Sequence, residues 1–374
     1  MGWNTWNKYN CQISEDIIKS NADEIVNLGL DKLGYVYVNI DDCWQIKDRD
    51  AQNHVQYDKT KFPNGMKAIG DYLHSKNLKF GIYSSAGTMT CQQRAGSLDF
   101  ETIDAADYYA WGVDYLKYDN CYNQGRKAVE RYTKMRDALL AQPKQIYYSI
   151  CNWGEEDTWK WAKDIGNSWR TTGDISNSWS SMRVNYLQSS QHPEIAGPGG
   201  WNDPDMLEIG NGGMSLVEEK SHFALWAFVK SPLILGCDLT KLSTDQIAII
   251  SNQNIIKLNQ DSLGQQAKCV QGCNGNIEVY QAYHNDLGGY YGLLVVNWSD
   301  WFSQSIEIDF LVAGVTNKAN DTCKLVDLWT GQVIGTFTSK YYASGIAIHD
   351  HLALKVTCST TASKVQNRYQ VKYT

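Results

Sequence analysis

The sequence predicts an α/β protein in which a (β/α)8 TIM barrel, residues 1–264, is followed by an antiparallel β-sandwich, residues 265–358. Three observations predict this architecture. Helical periodicity alternates with short apolar runs over the first two thirds of the 374-residue chain, in roughly eight units. Polar and aromatic residues collect where several predicted strands end. After about residue 264, short alternating strands separated by turn residues replace the helical pattern.

The first helix is predicted from its capping residue and its apolar face. Ser14 is a favourable N-cap, acidic residues occupy the next turn, and Gly29 is a stop signal. The apolar face comprises Ile18, Ala22, Ile25 and Leu28. A strand is then predicted over 35–41. Further helices are expected at about 66–75 and 104–111. Further strands are expected at 78–83, 113–119, 146–151, 167–171, 199–201 and 232–236.

A doubly wound open sheet is the alternative to the barrel. It is disfavoured because no G-x-G-x-x-G motif follows a predicted strand. The sandwich strands are predicted at 275–281, 292–297, 305–310, 323–327 and 346–356. Residues 359–374 are polar and basic, and we expect them to form a flexible tail.

The charge balance excludes two classes of partner. The chain carries 34 basic and 41 acidic side chains, a net charge of −7. Neither nucleic acid nor an anionic membrane would attract such a chain. The sequence also lacks an apolar run of about 18 residues that would predict a membrane span.

The cysteines and two sequons favour an oxidising compartment. Ten cysteines are present without the C-x-x-C spacing typical of zinc sites. Asn297 and Asn320 each begin an acceptor motif for N-glycosylation. We therefore expect a protein of the secretory pathway, either secreted or lysosomal/vacuolar. The chain opens directly on Met1-Gly2-Trp3, and a secretory leader is expected to have been removed ahead of it.

Charged residues are predicted inside the barrel. Alternate residues of a strand share one face, so Tyr115, Lys117 and Asp119 should all point inward, as should Tyr37, Asn39 and Asp41. An interior charge without a partner is costly. The pattern therefore indicates a functional site, although a buried ion pair between Lys117 and Asp119 would also explain it.

Two aspartates on different strands suit glycoside hydrolysis. Lys117 should lower the pKa of Asp119 and keep it ionised, which favours Asp119 as the nucleophile. The acid/base needs a mobile or less cationic setting, which suits Asp174 in the loop after Gly173, although close pairing with Arg170 would lower its pKa. Arg170 is expected to position a sugar hydroxyl and the Asp174 carboxylate. The two carboxyl groups should lie about 5–5.5 Å apart, and no metal or organic cofactor is expected.

Several blocks of sequence resemble the retaining α-galactosidases (melibiases) of eukaryotes, which are related to the α-N-acetylgalactosaminidases. The blocks occur in order along the barrel, and the resemblance extends more weakly into the sandwich. They are Met-Gly-Trp-Asn-Thr-Trp-Asn at 1–7, Asp-Asp-Cys-Trp at 41–44, Phe-Pro-Asn-Gly-Met at 62–66, Tyr-Leu-Lys-Tyr-Asp-Asn-Cys at 115–121, Cys-Asn-Trp-Gly at 151–154 and Gly-Trp-Asn-Asp-Pro-Asp-Met at 200–206.

The resemblance implies roles for individual residues. Asp119 matches the family nucleophile and Asp174 the acid/base. The implied galactose contacts are Trp6, Asp41, Asp42, Tyr83, Cys91, Lys117, Cys151, Trp153, Arg170 and Asp205. The resemblance also implies the disulfides Cys11–Cys43 and Cys91–Cys121 and a free thiol at Cys151. In the sandwich we predict the pairs Cys269–Cys273 and Cys323–Cys358.

The function expected from these residues is that of an exo-acting, retaining α-D-galactosidase. An α-N-acetylgalactosaminidase of the same fold is the closest alternative. It is disfavoured because Cys151 and Trp153 should fill the space that an acetamide group at C2 needs. A catalytically silent galactose-binding protein is the other alternative, and possession of both carboxylates disfavours it.

Overall fold

The computed structural model describes residues 1–358, and the predicted tail at 359–374 lies outside them. The chain divides into two compact units. The first comprises Met1–Trp226 and Ser231–Ser251. The second comprises Ala227–Lys230 and the chain from Asn252 onward.

The first unit contains an eight-stranded parallel sheet that closes on itself. The sheet order is β7-β6-β5-β4-β3-β2-β1-β8, and Leu207, just after β7, pairs in parallel with Leu235 of β8. The predicted barrel is therefore confirmed. Its strands are β1 (Gly2–Asn4), β2 (Tyr37–Asn39), β3 (Lys79–Ser85), β4 (Tyr115–Asp119), β5 (Tyr147–Cys151), β6 (Ser168–Arg170), β7 (Trp201–Asp203) and β8 (Ile234–Leu235).

Except between β5 and β6, where the connection holds only 3-10 helices, α-helices lie between successive strands as in other α/β barrels, and two more follow β8. They are α1 (Trp6–Tyr9), α2 (Glu15–Asn27), α3 (Gly65–Ser75), α4 (Glu101–Ala110), α5 (Ala128–Leu140), α6 (Trp179–Ser189), α7 (Leu216–Phe228), α8 (Thr244–Ile250) and α9 (Gln253–Asn259). Short 3-10 helices lie at Asp31–Leu33, Thr158–Lys160, Ala162–Asp164, Leu239–Lys241 and Asp286–Gly288. None of the helices within residues 1–358 has both the length and the apolar character needed to cross a bilayer.

Local signals account for α2 and for an error at β7. The Ser14 side chain accepts a hydrogen bond from the Ile17 backbone N–H at 3.3 Å, and Gly29 adopts φ +68° after the helix, as predicted. The seventh strand, predicted at 199–201, is displaced. Gly197 and Gly200 pair with each other in a turn, so the strand begins only at Trp201.

Three tyrosines fill the amino end of the barrel interior. The Tyr115 and Tyr147 rings stack 5.0 Å apart, and the Tyr37 ring lies 5.4 Å and 6.0 Å from them. β2 and β5 are not neighbours in the sheet, so Tyr37 and Tyr147 meet across the interior. The predicted inward face of β2 and β4 is thereby confirmed, and the rings form a floor beneath the polar residues farther along the strands.

The second unit is an antiparallel β-sandwich. Six strands pair in the order β14-β13-β16-β11-β10-β9, and β12 pairs with β15. Val279, Leu293, Val295, Leu354 and Val356 contribute to its buried core. The strands are β9 (Lys268–Gln271), β10 (Ile277–His284), β11 (Tyr290–Asn297), β12 (Gln304–Asp309), β13 (Thr322–Asp327), β14 (Val333–Thr338), β15 (Lys340–Ile346) and β16 (His351–Cys358).

The prediction of one continuous strand over 346–356 is wrong. β15 ends at Ile346 and β16 begins at His351, with His349 at φ +60° in the turn between them. Three strands, β9, β14 and β15, were missed because polar and exposed residues interrupt their apolar pattern.

The expectation that Asn297 carries a glycan needs correction. Its side chain is buried, and Nδ2 donates hydrogen bonds to the carbonyls of Phe302, Ile346 and Ala347 at 2.9–3.1 Å. A glycan on that nitrogen would break these bonds and collide with the surrounding chain. Asn320 is exposed, and its glycosylation stays a prediction.

Replacing Gly81 should destabilise the barrel. A Cβ at Gly81 would lie 1.8 Å from Oδ1 of Asn39, which points into the barrel from the neighbouring strand. We expect Gly81→Ala to lower the free energy of unfolding by about 1–3 kcal/mol, measured by urea denaturation. Gly197→Ala is the matched control, because no atom lies within 4 Å of the added methyl group. Equal stability of the two variants would contradict this account of the barrel interior.

Candidate active site

Two adjoining clefts lie at the carboxyl ends of the barrel strands. The outer cleft encloses about 330 Å³ and is lined by Trp6, Asp41, Asp42, Tyr83, Cys91, Lys117, Asp119, Asp174, Asp205 and Met206. The inner cleft encloses about 360 Å³ and is lined by Asn4, Asn39, Tyr115, Lys117, Ser149, Cys151, Arg170, Asp203, Asp205, Met206, Pro232 and Ile234.

Lys117 pairs with Asp41, on a strand two places away in the sheet. Its Nζ lies 2.8 Å from Asp41 Oδ2, which also accepts a hydrogen bond from the Asn4 amide at 2.8 Å. Burial alone would lower the pKa of Lys117, but the carboxylates of Asp41 and Asp119 raise it well above its usual range. Lys117 therefore stays charged and pairs with Asp41 at the edge of the outer cleft.

Asp119 lies at the end of β4, enclosed by hydrogen-bond donors. The Tyr83 hydroxyl donates to Oδ2 and the Asn120 backbone N–H donates to Oδ1, each at 2.8 Å. Burial raises the pKa of Asp119 to about 6, although Lys117 opposes the shift. The expectation of a lowered pKa at Asp119 is therefore wrong, because burial outweighs the charge of Lys117, which forms its close ion pair with Asp41.

Arg170 is shared between two carboxylates. Its Nη2 lies 3.0 Å from Asp174 Oδ1 and 3.1 Å from Asp205 Oδ2. Partial burial alone would raise the pKa of Asp174, but Arg170, assisted by Lys117, lowers it overall. The close pairing with Arg170 that complicates the acid/base role is therefore present. The Asp174 side chain is nevertheless 68% exposed and stands in a loop at the mouth of the cleft.

Backbone and hydroxyl donors orient Asp42. Its carboxylate accepts hydrogen bonds from the Thr90 hydroxyl and from the backbone N–H groups of Cys43 and Gln92, at 2.7–2.9 Å. Burial nevertheless raises the pKa of Asp42. Asp205 is oriented in a similar way, by the backbone N–H groups of Ile175 and Met206 at 2.9 Å. Both carboxylates are thus fixed in direction before any ligand arrives.

Four disulfides are present, and they join the pairs named in the sequence analysis. They are Cys11–Cys43, Cys91–Cys121, Cys269–Cys273 and Cys323–Cys358. Cys91 Sγ lines the outer cleft 3.3 Å from Asp119 Oδ2. Within residues 1–358, the one cluster of three potential metal ligands is Cys91, Asp119 and Cys121. Its two sulfurs are bonded to each other and lack the thiolate charge that binds metal ions.

Cys151 and Trp153, the two residues expected beside C2 of the sugar, differ in position, because only Cys151 lines a cleft. Cys151 is a free thiol that lines the inner cleft, with Sγ 3.5 Å from Arg170 Nη1, and burial raises its pKa well above the usual range. Trp153, in the described loop after β5, is half-buried and lines neither cleft. In this arrangement Cys151, without Trp153, forms the wall of the cleft.

Asp203 is a cleft residue that was not among the predicted contacts. Its Oδ1 accepts a hydrogen bond from the Asp205 backbone N–H at 2.8 Å, and burial raises its pKa to about 6. The Asp203-Pro204-Asp205 sequence contained a usable signal, since alternate residues of an extended segment face the same side.

Glu208 is a buried acid that supports the cleft from behind. Its two carboxylate oxygens accept hydrogen bonds from the side-chain amides of Asn7 and Asn211, at 2.5 Å and 2.6 Å. Asn7 follows Trp6 in α1, and Glu208 follows Met206, so this contact ties two walls of the outer cleft together. Burial, reinforced by the charge of Asp205, raises the pKa of Glu208 to about 7.

Glu208 should make the stability of the protein depend on pH. Its pKa is about 7 in the folded chain and roughly 4.3 when unfolded, so the folded state binds more protons between these values. Its contribution is fully present below the unfolded pKa and is lost as pH rises through about 7.

The free energy of unfolding of wild type should change with pH. We expect Glu208→Gln to reduce that change by up to about 3 kcal/mol. The measurement is the urea midpoint of wild type and variant at about pH 5 and about pH 7.5. Glu130→Gln, on the exposed face of α5, is the control and should keep the wild-type slope. A Glu208→Gln slope equal to that of wild type would contradict the assigned pKa.

Comparison with known proteins gives consistent matches over the barrel. The family described as "Alpha galactosidase A" (Melibiase_2) matches residues 1–261. An α-galactosidase of Oryza sativa subsp. japonica is 53% identical over 281 residues, which are 75% of this chain and 67% of the rice protein. Alpha-galactosidase 3 of Arabidopsis thaliana is 44% identical over 350 residues, covering 94% and 79% of the two chains.

Solved structures match the whole described fold. α-Galactosidase I from Mortierella vinacea superposes with a TM-score of 0.91 at 36% identity, covering 97% of this chain and 98% of the other. An α-galactosidase from Saccharomyces cerevisiae, solved with raffinose, superposes with a TM-score of 0.90 at 30% identity, covering 96% and 97%. The family match spans more than half of the chain, and the chain therefore belongs to the α-galactosidase A (Melibiase_2) family.

Proposed function

We propose that this protein is an exo-acting, retaining α-D-galactosidase that removes terminal α-linked galactose from oligosaccharides or glycoconjugates. The observation that carries the proposal is the pair of carboxylates in the outer cleft. Asp119 is buried and oriented at the end of β4, whereas Asp174 stands exposed at the mouth. A buried nucleophile and a proton donor near the exit of the leaving group are the arrangement that double displacement requires.

In the first step, an Asp119 oxygen attacks the anomeric carbon of the bound galactoside. The bond from that carbon to the leaving oxygen breaks as Asp174 delivers a proton to the oxygen. The hydrogen bonds from Tyr83 and Asn120 fix the direction of the attacking carboxylate. The products are a neutral leaving alcohol, a β-galactosyl ester of Asp119 and an ionised Asp174.

In the second step, Asp174 takes a proton from water as the water oxygen attacks the anomeric carbon and the ester bond breaks. Esterification removes the negative charge of Asp119, which in the free site opposes ionisation of Asp174. Arg170, 3.0 Å away, then holds Asp174 in its ionised form, ready to act as base. Both carboxyl groups return to their starting states, and galactose leaves with retained configuration.

The electrostatics of the clefts support a neutral polyhydroxylated ligand. Six aspartates line the two clefts beside only Lys117 and Arg170. An anionic ligand would be repelled, whereas sugar hydroxyls can donate hydrogen bonds to the carboxylates. We propose that Asp41 and Asp42 accept from O4 and O6, with Trp6 packed on that end of the ring. Lys117 would bind the O3/O4 edge, and Arg170 the O2 side.

Four disulfides indicate folding in an oxidising compartment, and hence in the secretory pathway. We propose that the protein acts outside the cell or in a lysosomal or vacuolar lumen. An acidic lumen would suit the raised pKa values of Asp119 and Asp203, both about 6.

Asp119→Asn should lower turnover of a nitrophenyl α-galactoside by at least about a thousandfold, because the covalent step loses its nucleophile. Retained galactose binding by the variant serves as the control for folding. With wild type, proton NMR should show α-galactose as the first product. Initial release of β-galactose, or near-normal turnover by the variant, would rule out the proposed mechanism.

The pH profile of kcat/KM should be bell-shaped and should fall above about pH 6. The active pair carries one proton, which is lost as pH rises through the pKa of Asp119. Below the lowered pKa of Asp174, both groups are protonated and no nucleophile remains. Arg170→Gln removes the cation that lowers the Asp174 pKa, so the acid limb should move to higher pH. An unmoved acid limb in this variant would contradict the assignment.

A further inference from the structure

Two adjacent aromatic rings on the second unit project into solvent. Trp301 is 77% exposed and Phe302 is 71% exposed, more than any other large apolar side chain in the part of the chain that the structure describes. They belong to the segment that connects β11 to β12, residues 298–303, which we call the aromatic loop. Adjacent apolar rings exposed to this degree are a recognised mark of an interaction site.

The aromatic loop is held by buried polar groups. Asn297 donates to the carbonyls of Phe302, Ile346 and Ala347, and its Oδ1 accepts from the Ser299 N–H at 2.9 Å. The Ser299 hydroxyl accepts from the backbone N–H groups of Trp301 and Phe302 at 3.2 Å and 3.1 Å. The Asn297–Ser299 sequon thus serves as the scaffold that presents the two rings.

The residues that precede the two rings in the loop contact other residues of the second unit. Trp298 is buried and its indole N–H donates to Glu278 at 2.7 Å. Asp300 contacts the ring nitrogen of His349 at 2.8 Å, which ties the loop to the turn before β16. The backbone that carries the rings is therefore already ordered before any partner binds.

We propose that Trp301 and Phe302 form a surface binding site for a chain of neutral sugars, separate from the catalytic cleft. The face of an aromatic ring carries partial negative charge and attracts the weakly positive C–H groups of a sugar ring. Asp300, whose side chain is 59% exposed and which precedes Trp301 in the chain, can accept hydrogen bonds from sugar hydroxyl groups.

Size and charge disfavour the other occupants. Two aromatic side chains present roughly 300–500 Å², well below the roughly 800 Å² per partner of a stable protein interface, which excludes a second copy held by this patch alone. The aromatic loop contains one acid and no base, and the chain has a net charge of −7. An anionic membrane is therefore disfavoured, because interfacial segments depend on basic residues for that attraction.

Such a site would retain the enzyme on polymeric substrate while the cleft acts on single terminal sugars. Binding through a second site raises the effective concentration of the polymer without changing the chemistry of the cleft. The choice of a galactose-bearing polymer as probe rests on the proposed function, whereas the stacking site itself does not require catalysis.

The test is retention of the protein in affinity gels that contain galactomannan. The double variant Trp301→Ala, Phe302→Ala should bind at least about fivefold more weakly than wild type, since each ring contributes a stacking contact. Its kcat/KM on a nitrophenyl α-galactoside should equal that of wild type. Tyr342→Ala removes another exposed aromatic ring of the same unit and is the matched control, with wild-type retention expected.

An Asp119→Asn protein should be retained like wild type, which separates this site from the proposed function. If Asp119→Asn keeps full activity but the aromatic variant loses retention, the catalytic proposal fails and the surface site stands. Equal retention of wild type and the double variant would overturn the surface site, as would no retention of wild type. If the double variant loses binding to neutral phosphatidylcholine vesicles but keeps wild-type retention on galactomannan, the rings contact a lipid surface. That result would also overturn the surface sugar site.

Discussion

The clefts must accommodate six aspartate carboxylates beside only two buried cations. Lys117 satisfies Asp41 directly, and Arg170 divides its charge between Asp174 and Asp205. The remaining acids depend on N–H and O–H donors, and burial raises the pKa values of Asp42, Asp119 and Asp203. A site with this excess of acid is most stable when protons or hydroxyl donors enter it. Ligand preference, pH dependence and the supporting bonds to Asp42 and Asp205 all follow from that shortage of cations.

Because the clefts contain few cations, Asp119 and Asp174 lie in different electrostatic environments. Asp119 has the deeper position, a tyrosine hydroxyl and a backbone N–H as donors, but no close cation of its own. Asp174 has an exposed side chain and an arginine. Each therefore has one property suited to its proposed role and one that the substrate must change. A leaving group at the mouth would compete with Arg170 for Asp174. The charges of the free site describe only the start of the reaction.

Sequence patterns predicted which strands carry functional residues, but not how those residues pair. Alternation along β4 correctly placed Lys117 inside the barrel, yet its partner Asp41 depends on the register of β2, β3 and β4. Proximity in sequence suggested that Lys117 would lower the pKa of Asp119, whereas burial dominates there. The sequon at Asn297 indicated a glycan because a short motif carries no information on burial. β14 and β15 escaped detection because polar residues and a glycine interrupt their alternation.

The tyrosine floor formed by Tyr37, Tyr115 and Tyr147 has a consequence for the order of events. Stacked rings occupy the amino end of the barrel, so every molecule that reaches Asp119 enters and leaves through one doorway. In the proposed mechanism, the departing alcohol would have to clear that opening before water could approach the ester of Asp119, and galactose would be the last species to leave. Reactants and products would therefore pass through the same opening one after another. Any small alcohol that reaches the doorway ahead of water occupies the position of the second nucleophile, and the galactosyl group then passes to that alcohol.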